Sequence, residues 1–488
     1  MPYIQGEDRD QFTLTPMCLD NYIEPDSICR VIAAYVNSLD MIALGFKYAQ
    51  TKDTGRPPHD PASMLMLYLY GYLNRIRSSR RLEAETHRNV EVMWLMEKLT
   101  PDDKTISEFR RNNADALKAV FRAFSIWCAE QGLYGKELAA VDGTKIRANS
   151  SRKNIHTQSL TQKQLEAVEK KIGEYMAVLE KNDAEGELEY DISAEAVRAA
   201  LVRLNEKKSE LEGYLQQIEK NDGVEVSTVD PDCRLMKQGG DGRNLDACYN
   251  VQTVVDEKHK LIVDFEVTNC PDDKGGLVAM TESAKEIMGI QEVVALGDKG
   301  YYDGEDISKC EANGTTCLAP KMLSGRNTPN PLYSQENFRY DKERDCYICP
   351  KEQLIPYRGT KTRKRANGKV VEVKVYRDSN VCKNCPMHQE CTKEKYGRTL
   401  TRSPWQDTLD IVDARLQMPA CRELLSKRSQ IVEHPFGTTK HGWGFRDYLC
   451  RGKRSVTGEQ SMVFLAYNFR RIFNILKGNG KDLMAAFS

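Results

Sequence analysis

Apolar residues recur every three or four positions through the first 130 residues of the chain, and this periodicity predicts helices. Asp60 and Pro61 stand before the apolar stretch MLMLYLYGYL, as is typical of a helix start. Further helices are predicted for SSRRLEAETHRNVEVMWLMEKL and PDDKTISEFRRNNADALKAVFRAFSIWCAE. With SSRR and FRR expected at helix starts, residues 1–130 form either a helix-turn-helix-like DNA-binding module or a plain helical bundle.

From Glu137 onward, short apolar and alternating runs replace the helical pattern and indicate strands. The predicted strands are ELAAVDGTKI, YNVQTVVD, KLIVDFEVTN, QEVVALGD and TTCLAP, and GGLVAMTESAKEIMG predicts a helix after the third strand. Three adjacent strands followed by alternating helices and strands are the order of an RNase H-like α/β sheet. We expect this core to comprise residues 135–320 and 406–475.

Two long segments interrupt the predicted core. Within residues 157–223, apolar positions spaced by three and four form one seam on each of two helices, and the polar link KNDAEGE joins them. This pattern predicts an antiparallel helical hairpin. The second segment, residues 321–405, holds a cysteine cluster and is expected to have little apolar core of its own.

Length and composition narrow the class of protein. A chain of 488 residues suggests about three domains. The longest apolar run is too short to cross a bilayer, and the opening MPYIQGEDRD does not resemble a signal peptide, so we expect a cytoplasmic protein without a membrane partner. The 15 scattered cysteines are then expected to be reduced, buried or metal-bound.

The formal net charge is zero, but the charge is unevenly distributed. Lys351–Trp405 carries 14 Lys and Arg against 5 Asp and Glu, and Cys421–Asn474 carries 10 against 4. Local basic faces of this kind suit phosphate binding, although solvated surfaces have the same composition.

Three acidic residues are candidates for metal-dependent chemistry. Asp142 and Asp298 each follow a predicted buried strand, and Glu433 lies near the end of a predicted helix because Pro435 and Gly437 follow it. Cleavage of a phosphodiester needs an activated nucleophile and relief of phosphate charge, which two Mg²⁺ ions on carboxylates supply. Each acid alone is a weak signal, since Asp-Gly is also a common turn sequence.

The sequence segments around these acids resemble those of the bacterial insertion-sequence transposases of the DDE type. VDGTKIRANSS, LGDKGYYD and VEHPFGTTKHGWGFR resemble the three acidic motifs of that family. RPPHDPASMLMLYLYGYLNRIRSSRRLE through TISEFRR resembles the helical amino-terminal domain, and LAYNFRRIF resembles the final helix. The resemblance covers nearly the whole chain.

The resemblance implies that Asp142, Asp298 and Glu433 hold two Mg²⁺ (or Mn²⁺) ions. The enzyme would hydrolyse double-stranded DNA at terminal inverted repeats and transfer the released 3′-OH to target DNA. Two ends must be cut and joined, which implies a homodimer or a larger assembly on DNA.

The resemblance also implies that Lys440 contacts a phosphate, while Lys145, Arg147 and Lys299 flank the aspartates and are weaker candidates for the same role.

The chain departs from the family around the third acid. Ser426 and Ser429 occupy positions where many relatives carry Tyr and Arg. Arg428 is one place off, and Arg422, eleven residues before Glu433, is expected on nearly the same helical face as that acid. Both arginines therefore remain candidates for phosphate contact.

The cysteine cluster predicts a structural Zn²⁺ site in either of two forms. CYICP holds Cys346 and Cys349, and CKNCPMHQEC holds Cys382, Cys385 and Cys391. Spacing alone selects four thiolate ligands: Cys346, Cys349, Cys382 and Cys385. The resemblance favours a second set, with Cys346 as the alternative ligand: Cys349, Cys382, Cys385 and Cys391.

His388 is a weaker candidate ligand, and reduced cysteines without metal are the alternative to a zinc site. The neighbouring basic stretch KTRKRANGK is either a DNA contact or a solvated loop. For the whole chain, the alternatives to an active transposase are a catalytically inactive DNA-binding descendant and an RNase H-like nuclease with another role. An intact acidic triad argues against the first, and the long insertions argue against a compact nuclease.

Overall fold

The computed structural model describes residues 18–50, 57–185, 194–238, 244–321, 330–365, 369–478 and 487. Within these ranges, six α-helices precede the first strand. They are α1 (Ile28–Asn37), α2 (Pro61–Leu73), α3 (Ser79–Arg88), α4 (Val90–Leu95), α5 (Asp103–Asn112) and α6 (Ala114–Glu130). As its sequence predicts, α2 begins after Asp60, whose carboxylate accepts a hydrogen bond from the amide of Ala62 at 3.0 Å. Its apolar residues extend around the whole helix, so α2 is buried at the centre of the group.

The arginines of the FRR segment lie in the last turn of α5, so the expectation that they begin a helix was wrong. Arg110 is buried, donates a hydrogen bond to the hydroxyl of Tyr72 at 3.2 Å and lies over the ring of Tyr68. Arg111 is exposed and pairs with Glu108. Arg110 therefore stabilises the packing of α2 against α5 and does not face a nucleic acid.

A six-stranded sheet lies beside the helices, with the order β4-β5-β1-β7-β8 and with β6 also paired to β5. Its strands are β1 (Leu138–Arg147), β4 (Arg234–Gln238), β5 (Asn244–Asp256), β6 (Ile262–Thr268), β7 (Val293–Leu296) and β8 (Thr315–Leu318). Strands β1, β7 and β8 are parallel, whereas β5 is antiparallel to β1 and to β6. Along the chain, β1, β5, β6, β7 and β8 correspond to the five predicted strands in the predicted order. β4 is an additional strand that the pattern did not predict.

Helices connect and cover this sheet. α9 (Gly276–Met288) follows β6, α10 (Gly304–Ala312) joins β7 to β8, and α16 (Lys453–Gly478) packs against α2, α6 and β6. Asn468 of α16 bonds through both side-chain atoms to the backbone of Ile262, at 2.9 and 2.7 Å. The amino-terminal helices and the sheet therefore share one apolar core.

Between β1 and β4 the chain forms two long helices and a small sheet. These elements are β2 (Ile155–His156), α7 (Gln158–Glu185), α8 (Ala194–Lys220) and β3 (Val226–Ser227). The two helices pack against each other, and Lys208 of α8 pairs with Glu169 of α7 at 2.8 Å. The link KNDAEGE lies partly outside the described residues.

A second sheet, of order β13-β12-β11-β10-β9, occupies the cysteine-bearing region. Its strands are β9 (Arg339–Asp341), β10 (Cys346–Ile348), β11 (Leu354–Lys364), β12 (Val370–Tyr376) and β13 (Leu400–Arg402), and the short helices α11 (Ser379–Lys383) and α12 (His388–Cys391) lie between the last two. Phe338, Tyr347, Ile355, Tyr376 and Leu400 form a buried apolar cluster of its own. This small cluster is separate from the main core, and it forms because aromatic residues spaced far apart in sequence meet across the sheet.

Three helices, α13 (Gln406–Arg415), α14 (Pro419–Ser426) and α15 (Arg428–Phe436), follow the second sheet. Pro435 lies inside α15, and the helical path continues as a π-helical turn, Gly437–Gly442. The α-helix ends at Phe436, so Glu433 lies near its end as predicted, but the chain then continues in a wider π-helical turn instead of leaving the helical path. Among the described helices, none has both the length and the apolar character needed to cross a membrane.

Candidate active site

Asp142 lies inside β1, whereas the sequence predicted it at the end of a strand. The parallel pairing of β1 with β7 covers only Leu138 to Ala140, but the antiparallel pairing with β5 continues to Arg147 and sets Asp142 opposite Thr253. The long neighbouring strand therefore carries β1 past the Asp-Gly pair. Asp142 still lies just beyond the parallel edge of the sheet.

Asp298 lies two residues beyond β7, where its carboxylate accepts a hydrogen bond from the amide of Gly300 at 2.7 Å. Leu296, the last residue of β7, pairs with Ala140 of β1. Each aspartate thus follows this paired position by two residues. Adjacent parallel strands in register bring the two carboxylates to the same edge of the sheet.

The charge around Asp142 is mostly negative. Burial raises the pKa of its carboxyl to about 6, and the nearby carboxylates of Asp298 and Asp273 add to this rise. The guanidinium of Arg428 opposes the shift, with Nη1 at 3.4 Å from Oδ2 of Asp142. Several carboxylates facing one arginine form a site that an additional cation would stabilise.

Glu433 is separated from the two aspartates. It lies on α15, five residues after Arg428, which corresponds to about 7.5 Å along the helix and about 140° around it. Its side chain is exposed, and its carboxylate has no hydrogen bond or ion pair with the described residues. Within the described part of the chain, no group of three or more His, Cys, Asp or Glu side chains is arranged to hold a metal ion.

The structure brings Lys440 to β1. Its ammonium donates hydrogen bonds to the hydroxyl of Thr144 at 2.9 Å and to the carbonyl of Lys145 at 3.0 Å, and burial lowers the pKa of Lys440. Lys145 is half-buried, and Lys299, next to Asp298, is exposed. Of these three cations, Lys299 is the most accessible to a ligand.

The remaining predicted phosphate contacts lie away from the acids. Arg422 is on α14, a separate helix from α15, so the expectation that it shares a helical face with the third acid was wrong. It bonds to the carbonyl of Leu416 at 2.8 Å and to the side chain of Gln417 at 2.6 Å. Arg147 is exposed and pairs with Asp447 at 3.6 Å.

The sequence analysis did not predict a cluster of hydrogen-bonded side chains that lies close to the segments of the two aspartates. Asp273 accepts hydrogen bonds from the amides of Gln252, at 2.7 Å, and Asn250, at 2.9 Å, and Gln252 accepts one from the hydroxyl of Tyr301. The available signal was the alternation in YNVQT, where two amides occupy one face of a buried strand. Buried amides are costly unless they are hydrogen-bonded, so this pattern calls for polar partners.

Glycine is required at position 143 because the side chains of Asp273 and Gln252 approach its backbone closely. A β-carbon at this position would lie 2.4 Å from Oδ1 of Asp273 and 2.5 Å from Nε2 of Gln252. We expect Gly143→Ala to lower the free energy of unfolding by about 1–3 kcal/mol, because the buried partners must shift. Gly173→Ala, on α7 with no atom in reach, is the control and should raise stability by up to about 1 kcal/mol. Urea unfolding of both variants measures the difference, and equal midpoints would contradict the observed packing.

Four cysteines of the second region line one small cavity: Cys349, Cys382, Cys385 and Cys391. Burial raises the pKa of the Cys382 and Cys391 thiols, and the neighbouring cysteines add to the rise.

His388 lines the same cavity, and its Nε2 is buried with no hydrogen-bond partner among the residues that the structure describes. Cys346 does not line it; this residue lies within β10, where burial and Asp341 raise its pKa.

Two family models match separate parts of the chain. The model described as "Transposase domain (DUF772)" matches residues 17–112, and the model described as "Transposase DDE domain" matches residues 348–473. No curated protein and no solved structure matches the chain. Glu433 lies within the second match, whereas Asp142 and Asp298 lie outside both. In these two segments the chain is therefore similar to transposase domains, the second of them of the DDE type.

Proposed function

We propose that this protein is a DDE transposase that cuts DNA at the ends of an insertion sequence and joins the released 3′-OH to target DNA. The observation that supports this proposal best is the register of β1 and β7, which aligns Asp142 and Asp298 at one edge of the sheet. Its substrates would be double-stranded DNA with terminal inverted repeats and a target duplex. It would act in the cytoplasm, where such DNA lies.

Asp142, Asp298 and Glu433 are proposed to hold Mg²⁺ or Mn²⁺, in a site for two ions. The donor set fits, because carboxylate oxygens are the ligands these cations prefer and because Asp142 is close to two other carboxylates and pairs with one arginine. When bound, the ions would activate the attacking oxygen and neutralise charge on the phosphate. Glu433 would complete the set from α15, the helix whose first residue contacts Asp142.

The basic residues near the aspartates are proposed to have two roles: some position the site, and others contact DNA phosphates. Arg428 holds the carboxylate of Asp142, and Lys440 fixes the π-helical turn to β1, so both act as positioning residues. Lys299 is exposed beside Asp298 and is the best candidate for a direct phosphate contact. Lys145 is a second candidate on the same edge of the sheet.

The ribbon formed by β11 and β12 is proposed as a further DNA contact. Lys361, Arg363 and Lys364 are exposed on β11. At the end of the ribbon, Arg365 pairs with Glu305 of α10 at 2.9 Å, which holds the ribbon beside the segment that follows Asp298. The rest of KTRKRANGK falls partly on residues outside those described.

Cys349, Cys382, Cys385 and Cys391 are proposed as the ligands of a structural Zn²⁺ ion. Their convergence on one cavity supports this set over the set that includes Cys346. Thiolates suit zinc, and a structural ion would fix α11 and α12 against the second sheet.

The proposed function is tested with purified protein, Mg²⁺ and two labelled DNA fragments, one ending in the inverted repeats that flank the gene. We expect nicking at the repeat end and covalent joining of that end to the second fragment. Cutting without joining would indicate a nuclease, and binding without cutting would indicate an inactive descendant. A dimer or larger assembly is expected on paired ends.

A further inference from the structure

We propose that Asp273 is a positioning residue of the cation site, holding the segments that carry Asp142 and Asp298 and adding negative charge near them. This inference rests on the proposed function, because it assigns a role within the same site. Asp273 lies in the turn between β6 and α9. It is outside both segments matched by the family models.

The carboxylate of Asp273 is fixed from one side by the sheet. Its Oδ1 accepts hydrogen bonds from Gln252 at 2.7 Å and from Asn250 at 2.9 Å, and both amides belong to β5, the strand paired with β1. Both β5 residues are fully or almost fully buried. Gln252 is held in turn by the hydroxyl of Tyr301, in the segment that follows Asp298. Asp273 is thus connected to the strand beside Asp142 and to the turn after Asp298.

Two glycines show how closely the carboxylate approaches the backbone of both segments. A β-carbon on Gly143 would lie 2.4 Å from Oδ1 of Asp273, and one on Gly300 would lie 3.4 Å from Oδ2. Gly143 directly follows Asp142, and Gly300 is two residues after Asp298. Oδ1 of Asp273 therefore approaches the strand beside Asp142, and Oδ2 approaches the segment that follows Asp298.

The charge of Asp273 has no cationic partner among the described residues. Arg428, the arginine nearest to this group of acids, pairs with Asp142. Two neutral amides stabilise Oδ1, but they do not cancel the charge of the carboxylate. Carboxylates that support metal ligands in this way orient those ligands and raise the affinity for the ion.

The turn around Asp273 has other contacts that hold it in place. Asn250 also donates to the backbone carbonyls of Cys270 and Asp272, at 3.2 and 3.4 Å. The amide of Gly275 donates to the carboxylate of Asp306 at 2.5 Å. Asp273→Asn keeps a carbonyl oxygen for the two amides, so this change removes the charge while leaving the turn supported.

The test is Mn²⁺ binding to the full chain without DNA, followed by electron paramagnetic resonance. We expect Asp273→Asn to weaken Mn²⁺ binding by about 10–100-fold. The matched control is Asp272→Asn, which removes the same charge from the adjacent exposed residue and should change the affinity by less than about twofold. Equal affinities for Asp273→Asn and the native chain would overturn the proposal.

Two additional variants distinguish failure of the Asp273 proposal from failure of the proposed function. Asp142→Asn should abolish high-affinity Mn²⁺ binding; if it binds normally, the proposed function itself loses its metal site. Loss of binding in that variant but not in Asp273→Asn would overturn only the role of Asp273. If Asp273→Asn does not fold, Tyr301→Phe releases Gln252 instead and should weaken binding several-fold, and unchanged binding would again overturn the proposal.

Discussion

Replacing Asp142 or Asp298 with asparagine is expected to lower the rate of DNA cleavage by about 10³-fold or more. An amide keeps the shape of the side chain but binds a divalent cation weakly, and a bound cation contributes several kcal/mol to stabilising charge in the transition state. The measurement is the single-turnover nicking rate with Mg²⁺ on DNA that is already bound. DNA affinity, measured separately by gel shift, should remain because neither residue is a proposed phosphate contact.

Glu433→Gln is expected to cause a loss of similar size, since the proposal assigns Glu433 to the same ions. Glu423→Gln is the matched control, because Glu423 is an exposed acid on the preceding helix, α14. Normal cleavage by Glu433→Gln, with both aspartate variants inactive, would show that another group is the third ligand. Asp273 would then be the first candidate, because its carboxylate approaches the segments that carry both aspartates.

Replacing Cys382 with serine is expected to remove the bound zinc and to unfold the region around the second sheet. Structural zinc ions contribute about 10–16 kcal/mol to the folding of small zinc-binding peptides, so loss of one thiolate has a large effect. Elemental analysis of the native protein should find about one zinc per chain, and limited proteolysis should cut the variant between residues 330 and 402.

Cys346→Ala tests the choice of ligands. Cys346 lies in β10 away from the cavity of the four other cysteines, so this variant should keep its zinc. Retention of zinc by Cys391→Ala together with its loss from Cys346→Ala would favour the set selected by spacing. A native protein with almost no zinc would contradict both sets.

Much of the central sheet could be predicted from hydrophobic patterning. Alternating and buried runs predicted β1, β5, β6, β7 and β8 in their observed order, because strands buried on one or both faces need apolar side chains at regular positions. Strand β4, RLMKQ, was not predicted, because it is short and partly exposed and depends on pairing with the long β5. The extension of β1 past Asp142 depends on that same strand.

The site was only partly predictable for a similar reason. Motifs indicated Asp142 and Asp298, but their alignment depends on the register of β1 with β7, which the pattern of apolar residues does not specify. Asp273 has no motif of its own, because its role arises from amides on another strand. The course of the chain after Glu433 was only partly predicted. Pro435 and Gly437 mark the end of α15, but they do not anticipate the π-helical turn that is tied to β1 through Lys440.

The most direct test of the acidic site is a crystal structure of the protein bound to a repeat-end duplex and Mn²⁺, with anomalous scattering used to locate the ions. We expect manganese peaks in contact with Asp142 and Asp298, with Glu433 completing their coordination. Manganese bound elsewhere, with those three carboxylates free of metal, would contradict the proposal that this edge of the sheet is where DNA is cut.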